Sequence, residues 1–309
     1  MRDTRAFAIA EVLLATLIWS GSFVLIKWGL ESWRPLTFVA VRYSLGGLIL
    51  LAVGLLFRRS GPTSGITRGH WARLFAIGVL NYALGQSLFF AALAAVSATS
   101  VNVILAFVPV AVLLFGGIYL REQPLAVQFV GIAAATGGSV LFFSGAEVSE
   151  QGMGLLLALG ATICFGLSQV VVRELAAEGK LGSVRLTVST LLIGSLLLLP
   201  VALWLEGMPQ PDIRGWLILG FLAVFSTALA HLAWNHAHRR MRAYEVGVLA
   251  NVMPLEVAVM ARLFLGESLG PMQWAAMAIV VLGITLVQAS SRLTAVMGRA
   301  RAAAFSWVR

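Results

Sequence analysis

Two charged side chains lie deep inside long apolar stretches of this sequence, where a charge costs several kcal/mol unless it is paired or hydrated. Counted at roughly 1.5 Å per helical residue, Arg42 would lie roughly 10 Å and Glu256 roughly 13 Å from the same edge of the hydrocarbon. These similar depths make an Arg42–Glu256 ion pair possible. Alternatively, Arg42 binds backbone carbonyls and Glu256 faces water in a cavity. Because a buried carboxylate can load and release a proton, we assign both residues to coupling, with His231 as a second candidate proton site.

Polar and aromatic side chains near the middle of the apolar stretches form a second group of candidates. Amide and hydroxyl groups can bind a zwitterionic or amphipathic solute, and aromatic rings supply an apolar wall. For any single residue the alternative is an interhelical hydrogen bond, commonly worth about 1 kcal/mol or less. The candidate substrate-binding residues are Trp19, Ser22, Asn81, Gln86, Phe89, Asn102, Gln169, His231, Trp234 and Asn251. Among them we predict that Trp19, Gln86, Phe89, His231 and Trp234 face one central cavity.

Enzymatic motifs are absent from the sequence. His231, His236 and His238 lie close together, but no carboxylate accompanies them at zinc-site spacing and no His-Glu-x-x-His occurs. A phosphate-binding loop is also missing. We therefore predict no catalytic residue, no metal and no cofactor, so that the protein is not an enzyme. A polytopic membrane enzyme and a non-transporting membrane scaffold remain as alternative classes.

The composition indicates that these residues must be positioned by helices in a membrane. Of 309 residues, 60% are apolar and 11% charged, whereas a soluble domain has about 45–50% and about 25%. Apolar runs of roughly 20 residues can cross the hydrocarbon as helices. We predict an all-α protein with ten spans, at 7–27, 35–57, 72–94, 99–120, 125–144, 153–173, 184–205, 215–236, 243–265 and 271–290. Its expected partners are membrane lipids and a small-molecule substrate.

The basic residues predict how the chain is oriented in the membrane. The net charge of +9 could suggest nucleic acid, but the arginines are spread over short loops, so no nucleic-acid partner is expected. Ten spans put both termini on one side, and most basic residues outside the spans fall on that side. The positive-inside rule then places both termini in the cytoplasm, with the protein in the cell membrane. Residues 291–309 would form a basic cytoplasmic tail.

Self-similarity at about half the chain length predicts two structural repeats. Pro109 and Glu122 recur 145 positions later as Pro254 and Glu267. The two prolines interrupt helical spans and are candidate hinges. We assign residues 7–144 to the first repeat and 153–290 to the second. Since each repeat has five spans, an odd number, the second must insert upside down relative to the first, as in many secondary transporters.

These features resemble a known family. The first span bears a tryptophan in its segment from Trp19 to Lys27, and Pro35 precedes Arg42 in the second span. Each half then has a proline-containing span that ends in glutamate and is followed by a glycine-rich span. In this order the features resemble paired EamA domains of the drug/metabolite transporter superfamily. The resemblance implies a ten-helix inverted-repeat fold, a central cavity lined by spans 1, 3, 4, 6, 8 and 9, and export of amino acids or related metabolites.

The orientation can be tested by labelling cysteines from outside the cell. In a Cys164→Ser background, a membrane-impermeant thiol reagent should react with Gln210→Cys, because the 206–214 loop is predicted to be external. Gly65→Cys, in the predicted cytoplasmic loop 58–70, should react only after the membrane is permeabilised. The reverse pattern would contradict the orientation.

Overall fold

The computed structural model describes residues 4–56, 66–96, 98–122, 124–142, 152–253, 255–256, 259 and 270–306, and these residues form helices and short connections without a strand. The α-helices are α1 Arg5–Gly29, α2 Pro35–Leu56, α3 Arg68–Ile77, α4 Gln86–Ala95, α5 Ala98–Leu105, α6 Val108–Tyr119, α7 Ala126–Phe142, α8 Gly152–Glu178, α9 Ser183–Glu206, α10 Ile213–Leu222, α11 Ala230–Ala237, α12 Ala243–Ala250 and α13 Pro271–Ser306. Two segments are π-helical: Gly78–Gly85 joins α3 to α4, and Ala223–Leu229 joins α10 to α11.

Seven helices among the described residues are long and apolar enough to cross a membrane, which makes this a multi-pass membrane protein. They correspond to predicted spans 1, 2, 3, 6, 7, 8 and 10. Two shorter apolar helices, Val103–Tyr119 and Ala126–Phe142, lie at spans 4 and 5. Most of predicted span 9 beyond α12 is outside the described residues, so the ten-span count stays a prediction. The helix α13 continues to Ser306, through most of the predicted tail.

Apolar side chains cover the outside of the helices, as lipid contact requires. Trp204 is 84% exposed, Leu56 79% and Ile118 72%. In water such residues would form an unfavourable surface, whereas acyl chains solvate them.

Several helix ends are set by local sequence. Thr4 Oγ1 accepts a hydrogen bond from the Phe7 N–H at the start of α1, and Asp212 accepts one from the Gly215 N–H at the start of α10. Gly207 follows the last residue of α9 as its C-cap, with a positive φ of 78° that glycine readily adopts. The carboxylate of Glu206 accepts hydrogen bonds from the Leu36 and Thr37 N–H groups, at 2.9 and 2.7 Å. The end of α9 therefore caps the beginning of α2, satisfying two backbone donors that the helix itself leaves free.

Small residues allow several helices to pack closely. Glycine pairs at 46–47, 116–117 and 137–138 predict close helix approach. At 46 and 47 this prediction agrees with the contacts, since a Cβ there would come within 2.7 Å of Thr227 and Leu192. A Cβ at Gly138 would also be crowded, at 2.8 Å from Val280, whereas positions 117 and 137 face open space. The pairs thus differ: both glycines at 46–47 face neighbouring helices, whereas at 137–138 only Gly138 does.

A close backbone approach joins α7 and α13, which pack along each other. A Cβ on Gly283 would lie 2.5 Å from the carbonyl oxygen of Gly131 and 2.5 Å from the backbone nitrogen of Ala135. Backbone atoms cannot rotate away as a flexible side chain can. The two helices could accommodate a larger residue only by separating.

We expect Gly283→Ala to lower the thermal unfolding temperature in detergent, because overpacking of this kind commonly costs about 1–3 kcal/mol. Gly137→Ala is the matched control, since alanine there meets open space and is favoured over glycine in a helix. It should leave the unfolding temperature unchanged or raise it. Equal effects of the two substitutions would show that the α7–α13 contact is not limiting.

Candidate substrate site

An aromatic cluster surrounds His231 where four spans meet. The ring centroid of Trp19, on α1, lies 5.2 Å from that of His231 and 5.2 Å from that of Trp234, both on α11. Tyr82, in the first π-helical segment, approaches His231 to 5.3 Å, and Tyr43, on α2, to 5.8 Å. We call these five residues the aromatic cluster. The structure thus brings together three of the five residues predicted to share a cavity, and it adds two tyrosines.

The second π-helical segment holds two rings of the cluster through its backbone. The Trp19 Nε1–H donates to the carbonyl oxygen of Ser226 at 2.9 Å. His231 Nδ1 lies 3.0 Å from the carbonyl oxygen of Thr227, and because a carbonyl only accepts, Nδ1 carries the proton. In a neutral imidazole Nε2 is then left as an acceptor. Single π-helical turns are often found at functional sites, where they alter the backbone hydrogen-bond pattern.

Arg42 is buried next to this cluster, and no acidic residue in the described ranges forms an ion pair with it. Its side chain is 5% exposed, and Nη2 donates to the Tyr43 hydroxyl at 3.1 Å. The guanidinium carbon lies 4.8 Å from the Tyr43 ring centroid and 5.7 Å from that of Phe38. Such cation–π contacts contribute about 0.5–2 kcal/mol, less than the several kcal/mol that a charge costs in a membrane interior. Nε and Nη1 have no hydrogen-bond partner among the described residues.

Glu256 lies against a different helix from the one that carries Arg42. Its two carboxylate oxygens accept hydrogen bonds from Thr16 Oγ1 and Ser20 Oγ, each at 2.9 Å. The Arg42–Glu256 ion pair considered from the sequence is therefore not formed. Similar depth was the basis for that pairing, but depth does not specify the direction in which each side chain leaves its helix. Glu256 points to α1, while Arg42 points to the aromatic rings on α2.

Three further predicted polar residues have assignable surroundings. Ser22 donates to the Ile18 carbonyl of its own helix at 2.6 Å, which satisfies its hydroxyl locally. Asn81 Oδ1 accepts from Ser168 Oγ at 3.3 Å, an interhelical hydrogen bond. Asn251, at the end of α12, is buried, and its Nδ2 has no partner among the described residues.

Gln169 supplies a second unpartnered polar group, on α8. Its Oε1 is buried without a donor in the described part of the chain. It lies 3.5 Å from the point where a Cβ on Gly247 would be, so the absent side chain leaves α12 open towards this oxygen. Since nearly all buried polar groups in proteins have partners, such exceptions are candidates for binding water or a ligand.

The remaining predicted site residues lie elsewhere or outside the described parts. Phe89 belongs to a neighbouring group, with ring centroids 5.4 Å from Phe90 and 6.5 Å from Phe165. Gln86 is partly buried at the start of α4. The Asn102 side chain and Pro254 are outside the described residues. Pro109 lies in the first turn of α6, directly after the break that separates α5 from α6, where the missing N–H of proline costs nothing.

An ionic network connects parts of the two sequence halves away from the aromatic cluster. Glu122 accepts from Arg173 Nε at 3.2 Å and from the Ala243 N–H at 3.1 Å. Arg173 Nη1 also donates to the His238 carbonyl at 2.7 Å. Burial raises the pKa of the Glu122 carboxyl, and the Arg173 guanidinium opposes this shift without cancelling it. These bonds join the end of α6 to the connection between α11 and α12.

Comparison with known proteins assigns the family. A model described as the EamA-like transporter family matches residues 6–144 and again residues 152–289. The chain belongs to this family. This confirms the resemblance drawn from the sequence motifs, and family membership points to transport rather than to catalysis.

Relatives of this EamA-like protein are named as transporters without a stated substrate. The uncharacterized inner membrane transporter YedA of Escherichia coli (strain K12) is 26% identical over 281 residues, which cover 88% of this chain and 87% of the relative. The uncharacterized transporter YvbV of Bacillus subtilis (strain 168) is 27% identical over 288 residues, or 91% and 92% of the two chains. A solved crystal structure with 18% identity matches with a TM-score of 0.78 over 94% of this chain and 99% of that chain, which shows a shared fold.

Sequence reasoning did not identify four of the residues around the site, namely Tyr43, Tyr82, Thr16 and Ser20. Both tyrosines directly follow residues that were selected, Arg42 and Asn81. Thr16 and Ser20 are four residues apart and so lie on one helix face. That spacing was a usable signal for a hydroxyl pair facing a buried acid. The EamA resemblance also did not place span 2 at the cavity, although Tyr43 brings it to the cluster.

We expect Trp19→Phe to lower the unfolding temperature of the EamA-like protein moderately. The substitution leaves the Ser226 carbonyl without its donor while keeping an aromatic ring, and one such hydrogen bond contributes about 1 kcal/mol. Trp28→Phe is the control, since Trp28 lies on the same helix but is 44% exposed. An equal or larger effect at Trp28 would show that the indole–carbonyl bond adds little.

Proposed function

We propose that this protein is a secondary transporter that exports amino acids or related small metabolites across the cell membrane. The two inverted five-span repeats would alternate in opening the site to either side, with both termini in the cytoplasm. One observation carries this proposal: the aromatic cluster is built from both halves of the chain. Trp19, Tyr43 and Tyr82 come from the first half, and His231 and Trp234 from the second.

The positions of the π-helical segments support the repeat arrangement. The first begins at Gly78 and the second at Ala223, which are 145 residues apart. This is the same offset that separates Pro109 from Pro254. A rare local structure at equivalent positions is expected of duplicated units. In addition, helices at equivalent places pack together, namely α7 with α13 and α2 with α9, as they would around a pseudo-two-fold axis.

The chemistry of the buried groups supports a small solute with both apolar and polar parts. The aromatic cluster gives a wall that accepts apolar groups, and elsewhere Gln169 Oε1 and Asn251 Nδ2 are an acceptor and a donor without partners among the described residues. Ligand sites commonly combine an apolar lining with a few such polar groups. Amino acids and similar metabolites have this combination.

Glu256 is the proposed proton site that couples transport to the proton gradient. It is a half-buried carboxylate whose hydrogen-bond partners, Thr16 and Ser20, are neutral hydroxyls. A hydroxyl can donate to the carboxylate or accept from the protonated acid, so the same two partners serve both states. His231 is the alternative: its Nδ1–H donates to the Thr227 carbonyl, so a proton would be gained and lost at Nε2.

Transport is tested directly with purified protein in liposomes. Loaded vesicles should release or exchange a labelled amino acid, and a thermal-shift screen can choose which one to use, because a ligand of the folded state raises the unfolding temperature. Solute movement by protein-containing vesicles and not by empty ones would support a transporter. A protein that binds solutes but moves none would fit the scaffold alternative.

We expect Glu256→Gln to abolish the dependence of transport on pH while leaving solute exchange intact. The amide keeps the shape of the carboxyl and its hydrogen bonds but cannot gain or lose the proton. Glu11→Gln is the matched control, because Glu11 is a carboxylate near the start of α1 that is paired with His236. An unchanged pH profile for Glu256→Gln would make Glu256 a structural residue and His231 the next one to replace.

A further inference from the structure

Arg42 is the buried cation that the described structure leaves without an anion. Each described acidic residue already binds a group other than Arg42. The acids and their partners are Glu11 with His236, Glu31 with Arg214, Glu122 with Arg173, Glu174 and Glu178 with Arg73, Glu206 with the start of α2, Asp212 with the start of α10, Glu245 with Arg5, and Glu256 with Thr16 and Ser20.

The guanidinium of Arg42 has N–H groups that are available to bind a ligand. Nε and Nη1 lack an acceptor among the described residues, while Arg42 is 5% exposed and its guanidinium lies near two aromatic rings. A guanidinium buried in this way is strongly favoured to bind a carboxylate, since charge-assisted hydrogen bonds are shorter and stronger than neutral ones. Within the part of the chain that the structure describes, Arg42 thus has buried donors available that an incoming carboxylate would satisfy.

We propose that Arg42 binds the carboxylate of the transported solute. This inference rests on the proposed transport function and narrows its substrate class to solutes that carry a carboxylate. Arg42 therefore acts at the substrate site rather than as the ion-pair partner of Glu256.

The position of Arg42 fits this role because Tyr43 connects it to the aromatic cluster. Nη2 of Arg42 is bonded to the Tyr43 hydroxyl, and the Tyr43 ring lies 5.2 Å from Tyr82 and 5.8 Å from His231. A solute with its carboxylate at Arg42 has its apolar part against these rings. His231 Nε2, an acceptor in the neutral imidazole, is suited to the amino group of an α-amino acid.

The proposal makes an unusual prediction about stability. Without ligand, Arg42 is an uncompensated charge, and replacing buried charges with apolar residues of similar volume is often neutral or stabilising. Arg42→Met should therefore unfold at the same temperature as the wild type or a higher one. Arg173→Met is the matched control and should unfold at a lower temperature, because it removes the ion-pair partner of the partly buried Glu122. A residue that only supports the fold would behave like Arg173.

Binding is tested by thermal shift with solutes that differ only at the carboxylate. One set consists of phenylalanine, phenylalanine amide and phenethylamine. Alanine, glutamine and lysine are each tested in the same way, with the corresponding amide and the amine that lacks the carboxylate. The acid of at least one set should stabilise the wild type, and its amide and amine should not. In Arg42→Met the affinity for that acid should fall by about tenfold or more, as expected when hydrogen bonds to a charged group are lost. Arg42→Lys should retain part of it.

The proposal would be overturned by amides or amines that stabilise as well as the acids, by an Arg42→Met variant that keeps the preference for acids, or by a wild type that no acid stabilises. Destabilisation of unliganded Arg42→Met to the extent seen for Arg173→Met would also overturn it. Failure of the proposed transport function would look different, because wild-type liposomes would then move none of these solutes. Transport of amines without transport of acids would preserve that function and remove the role of Arg42.

Discussion

The absence of water from the membrane interior is the constraint on which the arrangement of polar groups depends. Backbone groups satisfy one another within helices, and many side-chain hydroxyls do the same by donating to a carbonyl one turn earlier. Ser22, Thr162 and Thr190 all donate in this way, at 2.6 to 2.9 Å. Because this local solution is so common, the polar atoms that lack it are informative. Arg42, Gln169 and Asn251 each have a buried polar atom without a partner among the described residues, and these atoms are the candidates for contact with a solute.

Much of the helical framework could be predicted because it follows from hydropathy alone. Long apolar stretches such as 35–57 and 184–205 agree with α2 and α9 to within a residue or two, since a span has to be apolar along its whole length. The π-helical segments could not be predicted in this way. A π-helical segment changes the backbone hydrogen-bond register but has no distinctive composition. The sequences of Gly78–Gly85 and Ala223–Leu229 therefore look like those of an ordinary α-helix.

The candidate site was predicted less completely, for a geometric reason. Sequence position gives the depth of a residue along the membrane normal, and this was enough to select Trp19, His231 and Trp234. It does not give the direction around the helix, which depends on packing with other spans. For this reason Phe89 belongs to a neighbouring ring group, and Glu256 binds Thr16 and Ser20 rather than Arg42. Tertiary contacts decide which of several residues at one depth meet.

The cap that Glu206 places on α2 has a mechanical consequence. It joins the last residue of α9 to the first turn of α2, and Gly47 and Gly54 keep the same two helices close along their length. One of these helices comes from each half of the chain. If one half of the chain rotated relative to the other, α2 and α9 would therefore move together as one rigid unit, with little sliding between them. The capped end would act as the pivot of this motion. The larger displacements would then occur in the helices that are not bound at this cap.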